Sequence, residues 1–190
     1  EMQPARSLAW QTLLPAMGPA PLPADLLAAG ELARRLECLA LPHPPGQGRS
    51  PLAAQLSGKH FRFEPNPETL HSLSFDCTAG TLTYRLLGGG PRRGTHTLRF
   101  GNACWGEGAA WVDGVSFFAS HLARKVSASG GWVAEDTFLL TLVQYETPFL
   151  LSLSFTFQGE QVTLTPRLNV SFGPTELPPL VGRVAEGSSA

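Results

Sequence analysis

Apolar and polar side chains alternate with a period of two through most of the chain after Ser57, and this pattern limits the folds open to it. The alternation is clearest over residues 149–157, where Phe or Leu occupies every second position, and it continues over residues 162–172. A period of two is typical of strands that bury one face. The sequence therefore predicts β-structure over residues 58–184.

Short turns that contain Gly or Pro separate the predicted strands. Short connections join antiparallel neighbours, and a sheet with one apolar face must roll up or fold over to bury that face. We therefore predict a mainly β fold of about eight to nine strands, an antiparallel meander closed into a barrel or bent into a sandwich. The predicted strands are residues 61–63, 71–77, 82–86, 96–100, 110–113, 126–132, 137–145, 149–157 and 162–172. Residues 115–124 stay open between a helical turn and a strand.

The region before the sheet is expected to be helical. A short helix around Trp10 should end before Pro15, and a second is predicted over residues 24–39, where leucines recur at helical spacing. A Pro- and Gly-rich linker is expected over residues 42–51. The predicted parts are a helical connector at 1–57, a barrel at 58–184 and a flexible tail at 185–190.

Charge and hydropathy exclude several classes of protein. The 190-residue chain has a formal net charge of −1 and only 15% charged residues, so it lacks the basic surface of a nucleic-acid binder. No stretch approaches the ~18 apolar residues that cross a membrane, and no secretory signal is visible. The compartment is left open, with a cytoplasmic location favoured over export.

The residue types that carry common enzyme chemistry are missing in their usual patterns. Lysine occurs only at Lys59 and Lys125, so the chain contains no S-x-x-K pair and no K-T-G triplet, and it also lacks a G-x-S-x-G elbow. H-E-x-x-H and G-x-x-x-x-G-K are absent as well. Cys38, Cys77 and Cys104 match no disulfide or zinc spacing, and we expect them to be reduced and mostly buried. No catalytic residue, metal or cofactor is predicted.

Two histidines and a tyrosine on the predicted inward face are the candidate ligand contacts. His71 shares a face with Leu73, and His96 shares a face with Leu98; Tyr84 lies on the strand between them. A histidine among inward residues could bind a polar ligand. The alternative is that both histidines are only partly buried at a barrel mouth.

The register of the strands limits what these histidines can do together. Inward residues should oppose inward residues, which predicts Phe75 opposite Tyr84 and Leu86 opposite His96. This register puts His71 and His96 two strands and roughly 11 Å apart. That separation is too large for both to bind one zinc ion, whose Zn–N bonds are about 2 Å long.

Several segments resemble a known domain, and in the same order along the chain. They are residues 57–66 (SGKHFRFEPN), 129–132 (SGGW), 136–138 (DTF), 145–149 (YETPF), 169–175 (NVSFGPT) and 180–183 (LVGR). Together they resemble the C-terminal accessory domain of bacterial beta-lactamase-related serine hydrolases, a group akin to class C beta-lactamases, penicillin-binding proteins and esterases. Residues 9–15 (AWQTLLP) look like the connector that follows the hydrolase domain in such proteins.

The resemblance implies a lipocalin-like barrel in a bacterial protein whose nucleophile and lysine lie in an upstream domain. No catalytic residue carries over to this chain. The implied function is non-catalytic: the domain packs on an upstream serine hydrolase domain in cis and shapes its substrate cleft or its assembly, with a homo-oligomer as a further possibility. The alternatives are a barrel that binds a small apolar ligand and an independent enzyme built on His71 or His96 with a serine or Cys104.

Overall fold

The computed structural model describes residues 3–21, 23–110 and 123–185. The chain divides into two compact units, Glu1–Pro42 and His43–Ala190. The first unit is helical and the second holds the sheet. Because the division falls after Pro42, residues 43–57 belong with the sheet rather than with the helical segment.

The helical unit contains two helical segments. The first runs through α1 (Gln3–Leu8), a π-helical stretch (Ala9–Leu13) and α2 (Leu14–Ala16). It continues past Pro15, where we expected it to end, because the wider π turn before the proline tolerates its missing N–H. The second segment, α3 (Leu26–Glu37), begins where Asp25 accepts a hydrogen bond from Ala28 N at 2.9 Å.

Within the described residues of the second unit, eleven strands form one sheet: β1 (His60–Phe63), β2 (Leu70–Asp76), β3 (Thr81–Leu86), β4 (Gly94–Arg99), β5 (Gly101–Asn102), β6 (Gly106–Ala110), β7 (Arg124–Trp132), β8 (Thr137–Val143), β9 (Leu150–Gln158), β10 (Gln161–Leu168) and β11 (Leu180–Val184). They pair in the order β4-β3-β2-β1-β11-β10-β9-β8-β7-β5, with β6 also pairing β7. The mainly antiparallel, barrel-like fold is as predicted, although β5 runs parallel to β7. A short helix, α4 (Pro51–Leu56), precedes the strands.

The sheet nearly closes on itself. The first and last strands pair side by side, with Phe61 opposite Val184. At the other seam β6 lies against β4, and a Cβ on Gly108 would lie 3.6 Å from Arg99 O. The near-closure protects the edges that an open sheet would expose.

The register differs from the prediction by two residues in both hairpins of β2, β3 and β4. Phe75 pairs with Leu82, and Tyr84 pairs with His96. The strand β2 ends at Asp76, one residue early, because the Asp76 carboxylate accepts hydrogen bonds from the next turn. A slip of two residues leaves the alternation of faces unchanged, so the predicted core of these strands is largely correct despite the wrong pairing, with His71 as an exception.

Two predicted stretches end differently in the structure. The strand β10 ends at Leu168, so Val170 and Phe172 are not inward; Phe172 is fully exposed. The linker predicted after Pro42 instead folds against β7, where Gln47 exchanges two 2.8 Å backbone hydrogen bonds with Trp132. Residues 111–122 and 186–190 lie outside the described residues. They hold most of the predicted strand 110–113, of the ambiguous segment 115–124 and of the predicted tail.

Candidate functional site

Aromatic rings fill the centre of the sheet. The Phe75 ring lies 4.8 Å from the ring of Phe155 and 5.7 Å from that of Phe138, both edge to face. Leucines on the surrounding strands are also buried. Such packing is that of a solid core, and it leaves little support for an apolar ligand held inside the barrel.

His96 and Tyr84 lie together on the inward face, as neighbours across β3 and β4. Their ring centroids are 5.5 Å apart, and Tyr84 is buried. His96 Nε2 lies 2.7 Å from the carbonyl oxygen of Arg92. Because a carbonyl only accepts hydrogen bonds, Nε2 must carry the proton. His96 therefore holds the β3–β4 turn in place, which is a structural role.

His71 does not take the inward position that the alternation predicted. The pairing of β2 with β3 shifts between Leu70 and Ser72, so His71 is the extra residue of a β-bulge and Leu70 is inward instead. Burial lowers the pKa of His71 below its ordinary value, and the charges of Arg62 and Arg85 lower it further. The bulge thus places His71 beside two cationic side chains of the outer face.

Two adjoining cavities open on this outer face. The larger has a volume of about 1110 Å³ and the smaller about 350 Å³, and both are lined by Arg62 and His71. We call the pair the outer groove; its larger part follows β1, β11 and the loop at residues 64–69. Arg85 lines the smaller cavity and Arg183 the larger.

The arginines of the outer groove were not singled out in the sequence analysis. Each occupies an exposed position between more buried neighbours: Arg62 in β1, Arg85 in β3 and Arg183 in β11. Only the register brings them into one row: β1 pairs with the distant strand β11 on one side and with β2 on the other, and β2 pairs with β3. The alternation could have indicated that they face outward but not that they meet.

The other sequence candidates are scattered. Cys77 is half-buried, and burial raises the pKa of its thiol, but Cys38 and Cys104 are exposed. The expectation of mostly buried cysteines is therefore wrong, because Cys38 lies at the end of an exposed helix and Cys104 in a tight turn. In residues 3–21, 23–110 and 123–185, no three His, Cys, Asp or Glu side chains are placed to hold a metal ion.

The helical unit exposes many large apolar side chains. Leu26 and Leu27 at the start of α3 are 84% and 88% exposed, and Trp10 in the first helical segment is 63% exposed. Leu32 and Leu36, one helical turn apart, are exposed as well. So much apolar surface on a short segment is typical of a surface that contacts another protein. Among the described residues, no helix has the length and hydropathy to cross a membrane.

The segments that carry the resemblance are in contact with one another. Residues 57–66 include β1, which pairs with the β11 residues of the LVGR segment. Asn169 accepts a hydrogen bond from Leu150 N and donates one to Pro148 O, which joins the NVSFGPT and YETPF segments. Gly130 of the SGGW segment lies under the rings of Phe100 and Phe138. These segments therefore contribute strand pairing, hydrogen bonds and ring packing to the sheet.

No protein-family model matches this chain, and no curated protein matches it.

Proposed function

We propose that this chain is the non-catalytic C-terminal domain of a beta-lactamase-related serine hydrolase, and that the helical unit docks on the catalytic domain. The observation that carries the proposal is the exposed apolar surface of α3 and of the segment before it. The resemblance of residues 9–15 to the family's connector supports the same partner. The barrel then borders or shapes the substrate cleft of that domain.

The barrel supports this role better than a role as a carrier of apolar ligands. Its interior holds the aromatic cluster around Phe75, and a packed interior stabilises a fold rather than enclosing a ligand. His96 is occupied by its hydrogen bond to the Arg92 carbonyl. The inward polar groups thus serve the barrel itself.

Hydrogen exchange of α3 tests the docking. In the complete product of the gene, we expect the amides of Leu26–Glu37 to exchange more slowly than in the 190-residue chain, because docking protects a helix whose side chains are otherwise exposed. The single substitutions Leu32→Glu and Leu36→Glu should each reduce this protection by placing one charge in an apolar contact.

Gly30→Glu is the matched control, since it adds the same charge to the same helix. A Cβ at Gly30 meets nothing within 4 Å, and residue 30 lies on roughly the opposite side of the helix from Leu32 and Leu36 at about 100° per residue. The control should keep the protection. Equal exchange of α3 in the complete product and in the 190-residue chain would contradict the docking role.

A further inference from the structure

The outer groove combines a cationic row with unpartnered polar atoms and apolar walls. The row follows from the register: Arg62 lies opposite Arg183 on one side and opposite Ser72 on the other, and Ser72 lies opposite Arg85. Like charges directly opposite each other destabilise a sheet. An anion that binds between these side chains would offset the repulsion.

Few acidic side chains line the groove. The ion pairs of Glu31 with Arg34 and Arg35, and of Lys125 with Glu146, do not involve its arginines. Glu64 is the single carboxylate that lines the groove, against three arginines. The groove therefore carries an excess of positive charge.

Two buried polar atoms beside the arginines lack a hydrogen-bond partner among the described residues. They are Thr69 Oγ1 and His71 Nδ1, and both residues line the groove. Buried polar atoms are normally paired. Thr69 also has a φ of 57°, a conformation that is rare for a β-branched residue and that concentrates at ligand sites.

The remaining wall of the groove is apolar. Leu87 is 51% exposed and Val181 is 44% exposed, and both line the larger cavity together with Pro65. Its volume of about 1110 Å³ is far larger than an inorganic ion needs and is comparable to the volume of organic-ligand pockets, up to about 1,000 Å³. An inorganic ion would leave most of this space and its apolar wall unused.

We propose that the outer groove binds a small amphiphilic organic anion, whose oxyanion head lies between Arg62 and Arg183 near His71 and whose apolar body lies on Leu87 and Val181. Arginine suits such a head because its planar guanidinium donates two parallel hydrogen bonds to a carboxylate or phosphate. The proposal is independent of the docking role, since it concerns the barrel and not the helices.

Calorimetric titration with decanoate, decyl phosphate, decanol and acetate tests whether the outer groove binds an amphiphilic anion. Decanoate or decyl phosphate should bind saturably with one site, and comparison of the two shows which head the arginines prefer. Decanol, which lacks the charge, and acetate, which lacks the apolar body, should each bind at least about tenfold more weakly, as expected for the loss of one charged hydrogen bond or of the apolar contact.

Substitutions inside and outside the outer groove test whether the probes bind in it. Arg62→Gln and Arg183→Gln should each weaken decanoate binding at least about tenfold, and Leu87→Ser should weaken decanoate but not acetate. Arg167→Gln removes an exposed arginine of β10 outside the groove and should change nothing. The proposal fails if neither decyl anion binds saturably at millimolar concentration, or if Arg62→Gln and Arg167→Gln bind the probes equally well.

Discussion

Thr69 and the Arg62–Arg183 pair are residues whose placement weakens the fold locally. Thr69 holds a positive φ, and its backbone is fixed by Asn66 O and Leu87 N at 3.0 and 2.9 Å. Arg62 and Arg183 place like charges across one strand pair. The backbone strain at Thr69 and the repulsion between Arg62 and Arg183 both occur at the outer groove. Such local loss of stability is typical of ligand sites, where stability and function often compete.

Thr69→Gly is expected to raise the free energy of unfolding by about 1 kcal/mol, because glycine adopts a positive φ without the steric cost of a Cβ. The substitution also removes the unpartnered hydroxyl. Urea unfolding measures the change. Thr78→Gly, in an exposed turn and with a φ that is not positive, is the control and should be neutral or destabilising. A loss of stability in Thr69→Gly would show that its backbone is not strained.

The strands show which features of a sheet the alternation of apolar and polar residues can predict. Alternation located eight of the nine predicted strands within the described residues, and the ninth, 110–113, lies mostly outside them. Three short strands, β5, β6 and β11, were missed; in β11, Gly182 and the short length break the pattern. His71 was placed inward because a bulge leaves no mark in a period of two. The outer groove could not be predicted, because its arginines meet through pairing between the first and last strands, which alternation does not specify.

Strand β7 is tightly packed at Gly130. A Cβ added to Gly130 would approach the ring of Phe138, and it would lie 2.9 Å from the ring of Phe100. Neither ring can move freely, since both are buried. Glycine is therefore required here by space rather than by φ.

Gly130→Ala is expected to destabilise the barrel by about 1–3 kcal/mol, the usual cost of overpacking a core. Gly89→Ala is the matched control, because a Cβ there meets nothing within 4 Å and the φ of Gly89 is −77°. Thermal or urea unfolding of the two variants gives the comparison. Equal stability of Gly130→Ala and the unmodified chain would show that the rings above β7 have room to shift.

The whole chain joins a filled barrel to a helical unit with an exposed apolar surface. The barrel has a core of its own and needs no partner to bury its inward face. In the helical unit, by contrast, the large apolar side chains of α3 are exposed, and a helix stabilised by packing needs a partner for them. The missing catalytic motifs and the family resemblance together predicted a non-catalytic chain, and the assignment of a hydrolase as the partner depends on the sequence segments.

Fluorophosphonate labelling, run side by side on the 190-residue chain and on the complete product of its gene, tests the proposed function most directly. Fluorophosphonates label activated serine nucleophiles. The proposal predicts that the complete product is labelled and turns over an ester, whereas the 190-residue chain does neither. Labelling of the 190-residue chain would place a nucleophile within it, and a complete product without a labelled serine would remove the hydrolase; either result would contradict the proposed function.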